Sequence, residues 1–266
     1  MFDQLRAALR YTLLEIARNR LAAGLLIIFV PLWYYLLGAL IGNAPVAFKY
    51  GLSNRFLQVD GHNLTLITTG LNTVTLIMAF LFFASTRGSA AFDQRLVRSG
   101  YRQATLMLAK ASALIVASAV IATYALGVMM VAWRPRGLFL IWLSFFLAGL
   151  IYGALGLLLG ALLRSELAGF FIIIMVSLFD TLFQNPLDNP AANQDALKAL
   201  PSYAPTQVGV AGGFTSLFPG RELLLSLAWF AVLIALGLAI FWLRTRSWNA
   251  SARRSAARVA PVAPAA

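Results

Sequence analysis

Residues 86–110, TRGSAAFDQRLVRSGYRQATLMLAK, form an island of charge. Arg87, Asp93, Arg95, Arg98, Arg102 and Lys110 lie in it, and the apolar runs on either side, near 63–85 and 107–132, are too long for ordinary core helices. Crossing a bilayer takes about 20 mainly apolar residues. The island therefore reads as the connection between two membrane spans, and the rest of the chain is read outward from it.

Composition agrees. The chain has 266 residues, 61% of them hydrophobic, and a mean hydropathy of +0.81, against about half apolar residues in a soluble domain. The excess comes in blocks of Leu, Ile, Ala and Phe without the alternation of a lipid-facing barrel strand. The expected fold is an all-α polytopic membrane protein with six transmembrane helices, near 21–41, 63–85, 107–132, 138–163, 166–183 and 222–243. The fourth and fifth runs are separated only by LRSE, which predicts a tight helical hairpin, with Ser165 as N-cap of the fifth and Glu166 in its first turn.

Basic residues set the orientation. Arg6, Arg10, Arg18, Arg20, the island, Arg164 and Arg244, Arg246, Arg253, Arg254 and Arg258 fall on one side. Lys49, Arg55, Arg134, Arg136, Lys198 and Arg221 fall on the other. The positive-inside rule places the first group, with both termini, in the cytoplasm. The net charge of +12 then suits topology and anionic lipid head groups rather than nucleic acid. No cleavable leader is expected, and the first span should act as an uncleaved anchor.

Within residues 1–20, Phe2, Leu5, Leu9, Leu13 and Ile16 recur at helical spacing while Arg6, Arg10 and Arg18 lie off that stripe, which predicts an amphipathic interfacial helix. Residues 21–245 are expected to form the six-span domain and residues 246–266 a disordered cytoplasmic tail. The long segment 184–221 is expected to hold short extracellular helices, with TQVGVAGGFTSLF as a re-entrant or interfacial piece too short to span.

Several chemistries are excluded. The chain has no cysteine and one histidine, His62, so no thiolate or His-cluster metal site is expected. It has no Walker-type phosphate loop and no H-E-x-x-H, so no enzymatic role and no cofactor are expected on this chain. No internal repeat is visible, which weighs against inverted-repeat transporters.

Three constellations remain. Thr65, Thr68, Asn72 and Thr75 share one face of the second span, with Thr69 and Thr73 beside them. Because an unsatisfied polar group facing lipid is costly, that face should meet protein or water, either as a translocation path or as interhelical packing. Asp180, with Thr181 and Gln184 one turn away, is the one acid inside an apolar run, and it is a path candidate near the outer end of its span. Gly149, Gly153, Gly156 and Gly160 form a close-packing stripe.

In the island itself, Gly88 and Gly100 bracket a short helix capped by Ser89. Phe92 and Leu96 would make an apolar knob, ringed by Asp93, Arg95 and Arg98, for docking a soluble partner. Arg164 and Glu166, in the turn between the fourth and fifth spans, are grouped with it.

Taken in order, these features resemble the permease subunits of ABC-2 type ABC transporters, the type V exporter fold, over roughly residues 1–245. FDQLRAALRYTLLEI is similar to the family's connecting helix, and Tyr101, Arg102 and Lys110 in YRQATLMLAK to the segment after its coupling helix. LLRSELAGF is similar to its short turn between spans four and five, and LPSYAPTQ to the stretch before span six. The island departs from the family in having AFDQRLVRSG where an E-R-x-x-G-T segment is common. The resemblance implies a dimer with a second permease copy, identical or related. It also implies a separate cytoplasmic ABC ATPase carrying ATP and Mg, and a path lined by spans one, two and five. The expected function is export of an amphipathic drug, lipid or peptide across a bacterial plasma membrane. The alternatives are a secondary transporter or channel without ATPase subunits, and a membrane anchor for a soluble partner.

Overall fold

The computed structural model describes residues 2–18, 23–163, 165–186, 189 and 194–258. Helix α1 covers Phe2–Ala17; a π-helical turn, Leu25–Phe29, leads into α2, Val30–Leu40. A β-hairpin follows, β1 Pro45–Lys49 and β2 Phe56–Asp60. Then come α3 Gly61–Arg98, α4 Gln103–Ala132, α5 Leu138–Leu162 and α6 Glu166–Gln184. Two short helices, α7 Asp195–Lys198 and α8 Tyr203–Phe214, precede α9, Gly220–Arg258.

Among the described residues, five helices (α3, α4, α5, α6 and α9) are long and apolar enough to cross a membrane, which marks a membrane-embedded, mostly helical protein. The run near 21–41 gives a shorter apolar helix, Leu26–Leu40, interrupted by the π turn.

The centre of the bundle is α5 against α3, with α4, α8 and α9 also packed on α5. The glycine stripe makes this possible. A Cβ at Gly156 would overlap the Ala79 carbonyl, and one at Gly160 would stand 2.9 Å from the Phe83 carbonyl. Gly149 and Gly153 lie against Ser118 and Leu114 of α4. The stripe is therefore a packing device, as small residues in membrane interfaces generally are. The cap at the start of α6 forms as expected, with Ala168 N donating to Ser165 Oγ at 3.3 Å. Beyond that turn the two helices part, and α6 packs chiefly on α3 instead of making a tight hairpin with α5.

Four further points revise or add to that reading. The coupling helix is not a separate piece: α3 runs unbroken through Gly88 to Arg98. Its 38 residues span about 57 Å at 1.5 Å per residue, well beyond the roughly 30 Å hydrocarbon core. Ser89 is not a cap, because its hydroxyl is engaged with Asp93 and Lys110.

The helix stops instead at Gly100, whose φ of +92° allows a Schellman closure. There Gly100 N donates to the Val97 carbonyl (3.2 Å) and Tyr101 N to that of Leu96 (3.0 Å). At the other end Asp60 caps α3, accepting from His62 N at 2.8 Å and Asn63 N at 3.3 Å.

Second, the segment between α2 and α3 contains the antiparallel hairpin, pairing Pro45 with Asp60 and Lys49 with Phe56. Its Phe48, Tyr50 and Val59 form a small core with Leu64, Val210 and Ala211, and Tyr50 Oη donates to the Gln207 carbonyl at 3.2 Å. Third, TQVGVAGGF lies in α8, a helix short of spanning length as expected, and it is buried, wedged against α5, α9 and α3, with Gly137 N donating to the Gly212 carbonyl at 3.0 Å. Fourth, α9 continues to Arg258, into the stretch expected to be disordered from 246.

Candidate functional site

The two ends of α3 carry two different kinds of polar structure. Near its start, α2, α3 and α6 enclose a groove of about 220 Å³. Thr65, Thr68, Thr69 and Asn72 of α3 line it, facing Trp33 of α2 and Thr181 of α6. Most hydroxyls here are satisfied within their own helix: Thr65 Oγ1 donates to the Gly61 carbonyl (2.8 Å) and Thr68 Oγ1 to that of Thr65 (3.1 Å).

Asn72 reaches across, Nδ2 donating to Thr181 Oγ1 at 2.7 Å. Two groove residues, Trp33 through Nε1 and Thr69 through Oγ1, have buried polar atoms with no hydrogen-bond partner among the described residues. Such atoms are expensive to leave unmade in an apolar bundle, and both are sealed in the groove's wall; the polar side chains of α3 that stay partly accessible in the groove are Thr68 and Asn72.

The expected path residues divide. Thr65, Thr68 and Asn72 come together in the groove, whereas Thr75 is buried deeper, 2.8 Å from Ser177 Oγ. Asp180 and Gln184 lie on another side of α6. Asp180 accepts from the Tyr152 hydroxyl of α5, from Ser202 N at 2.9 Å and from Ser202 Oγ at 2.6 Å. Gln184 Nε2 donates to the Leu197 carbonyl at 2.7 Å. This carboxylate therefore pins the segment before α8 to α5 and α6, and does not line the groove. Tyr152 and Ser202 escape sequence reasoning because one sits among packing glycines and the other in a Pro-rich loop.

At the other end of α3 the chemistry is ionic. Lys110 Nζ of α4 is 2.9 Å from Asp93 Oδ2 and donates to Ser89 Oγ at 2.8 Å, and Ser89 Oγ donates to Asp93 at 3.1 Å. The triangle is buried, with the Phe241 ring 5.6 Å from Lys110 Nζ. Asp93 is thus a buried pairing residue, not a projecting charge, which corrects its expected place around the knob.

Helix α1 closes this end. The Tyr11 ring stacks on Phe92 at 5.0 Å, and Tyr101 Oη donates to the Gln4 carbonyl at 2.6 Å. Phe92 and Leu96 line a cavity of about 190 Å³ with Tyr11, Glu15 and Lys110, so much of the supposed knob packs against α1, and Phe92 keeps 40% exposure. Half-burial pushes the Glu15 carboxyl above its usual range, an effect that Lys110 opposes and Asp93 reinforces.

Arg95 and Arg98 are exposed on the outer face. Glu166, also exposed, stands 3.8 Å from Arg87 Nε, and the Arg87 guanidinium donates to the Leu163 carbonyl. Arg164 lies outside the described residues. Among the described residues no cluster of His, Cys, Asp and Glu is arranged to hold a metal.

No protein-family model matches the sequence, and no curated protein matches it.

Proposed function

We propose that this chain is the membrane subunit of an ATP-driven exporter of the ABC-2 kind. It works as a dimer with a second permease copy, and its ATPase is a separate cytoplasmic polypeptide carrying ATP and Mg. One observation carries the reading: a single uninterrupted helix, α3, holds the groove residues 65–72 at one end and the α1-clamped residues 89–96 at the other. A continuous helix transmits displacement along its axis, so force applied where α1, α3 and α4 meet reaches the groove without passing through a loop.

In this reading α2 is the first of six spans and both termini are cytoplasmic in a bacterial plasma membrane. The groove takes an amphipathic cargo (a drug, lipid or peptide) whose polar part meets Thr68 and Asn72. Arg95, Arg98 and Glu166, exposed at the basic end, are the surface offered to the ATPase, with Phe92 at its margin.

The test is copurification with the ATPase of the same operon and stimulation of its hydrolysis in proteoliposomes. The paired substitution Arg95→Glu and Arg98→Glu changes only exposed positions and should abolish stimulation while insertion and yield stay unchanged. Full-rate solute movement by the purified chain alone would sink the proposal and favour a secondary transporter or channel.

A further inference from the structure

We propose that the crevice beneath α1 holds one acyl chain of a membrane phospholipid with an anionic head group. This site is separate from the groove and does not depend on the chain's having an ATPase.

The crevice measures about 380 Å³ and lies where α1, the entry to α2, α3 and α4 meet. Leu13, Leu26, Ile77, Leu81, Val116 and Ile121 represent its walls; every side chain lining it is hydrocarbon. Water has no polar partner there, and a space of this kind left empty loses the dispersion contacts of its lining. A hydrocarbon occupant restores them.

The mouth indicates which hydrocarbon. Val116 is 41% and Val120 58% exposed at the rim, and Ile27 and Ile28 of the adjoining π turn are exposed as well. The opening is therefore on the apolar flank of α4 and the α2 entry, a surface that in a membrane-embedded protein only lipid tails or another span would cover. The roof indicates the head group. Among the described side chains of α1 and the residue that follows it, the exposed charged ones are Arg6, Arg10 and Arg18, while the half-buried acid of α1, Glu15, turns into the separate cavity beside Lys110. Arg18 directly follows Ala17, which lines the crevice. Guanidinium groups at the membrane surface favour anionic lipids and pair with phosphate.

The test uses the full chain in vesicles of mixed phosphatidylglycerol and phosphatidylethanolamine, re-extracted in mild detergent and weighed by native mass spectrometry. The expected result is one retained phospholipid per chain, enriched in phosphatidylglycerol. Val120→Trp, which fills the mouth from an exposed rim position, should lower retention about tenfold, the equivalent of losing about two buried methylenes. Ala17→Trp closes it from the α1 side and serves if the first variant is not monodisperse. Arg18→Glu should keep the lipid but remove the head-group preference.

Wild-type protein that retains no lipid, or fillers that retain as much as wild type, would overturn the site. An unchanged preference in the Arg18 variant would overturn the anionic head group. Disulfide-linked dimers through Val120→Cys would assign the crevice to a second copy instead.

Discussion

The groove end and the basic end of α3 solve the problem of burying polarity in opposite ways. At the basic end the buried charges among the described residues are paired: Lys110, Asp93 and Ser89 close on one another within 3.1 Å. At the other end the groove's own lining is neutral, and two of its buried atoms, on Trp33 and Thr69, lack partners among the described residues. A closed ionic triangle resists change because either charge left alone is costly. A neutral groove strands no charge when its contents change, so it can accept something else. The first arrangement suits a joint that must hold its shape, and the second suits a place where contents change.

The strongest way to break this comparison is at the triangle. Asp93→Leu or Lys110→Met alone strands a buried charge and should cost about 3–5 kcal/mol. Thermal unfolding of the purified protein would read this as a large fall in midpoint. The double variant should recover most of the loss, since two well-packed apolar groups replace the pair. If each single change is as mild as the double, the triangle is not a joint and the contrast between the ends disappears.

How far the sequence reveals these ends depends on the range of the interactions. The apolar runs and the Thr/Asn face follow from helical period, which is local, and so do the Ser165 cap and the glycine stripe. The unbroken α3 does not. A helical Gly88 costs only about 1 kcal/mol relative to Ala, and the helix beyond it is fixed by contacts no local pattern shows, Ser89 and Asp93 meeting a lysine 17 residues or more further on.

The true stop, Gly100, is legible as the second of the two bracketing glycines, and its positive φ gives the physical reason; only the start at Gly88 misleads. The hairpin's strands are five residues each, too short for alternation to stand out, and they are held by Tyr50 reaching to Gln207. The end of α9 hides behind its composition, because SARRSAAR reads as low-complexity although Ala and Arg are good helix formers. Asp180 stands out in the sequence by its charge alone. Its role depends on Tyr152 and Ser202, which no local pattern links to it.

A second, smaller effect sharpens the groove side. Asn72→Leu removes the bond to Thr181, and such interhelical bonds are worth only about 0.6 kcal/mol on average in a membrane bundle. Folded yield should therefore hardly move. Cargo affinity or cargo-stimulated activity should change severalfold, because the groove loses a donor that crosses from α3 to α6. Should yield fall while cargo response stays constant, the Thr/Asn face is packing and the groove end is no more open to exchange than the triangle.

The smallest expected effect lies at the edge of the basic end. Glu15 of α1 is half-buried, and burial holds its carboxyl above the ordinary value, about 4.3 in an exposed glutamate. A carboxyl raised on folding binds its proton more tightly in the folded state. Its contribution is therefore fully favourable below the ordinary value and is lost as pH rises through the raised one. The clamp of α1 on Phe92 and Tyr101 should accordingly be tightest in mild acid and loosen toward neutrality. Hydrogen exchange at the α1 amides, followed from pH 4 to 8 after correction for intrinsic rates, would measure it. Glu15→Gln should flatten that profile and leave exchange near the groove unchanged. A profile equally steep in the variant would move the pH response to another group, while a change that spreads to α6 would mean that the two ends of α3 do not behave as separate devices.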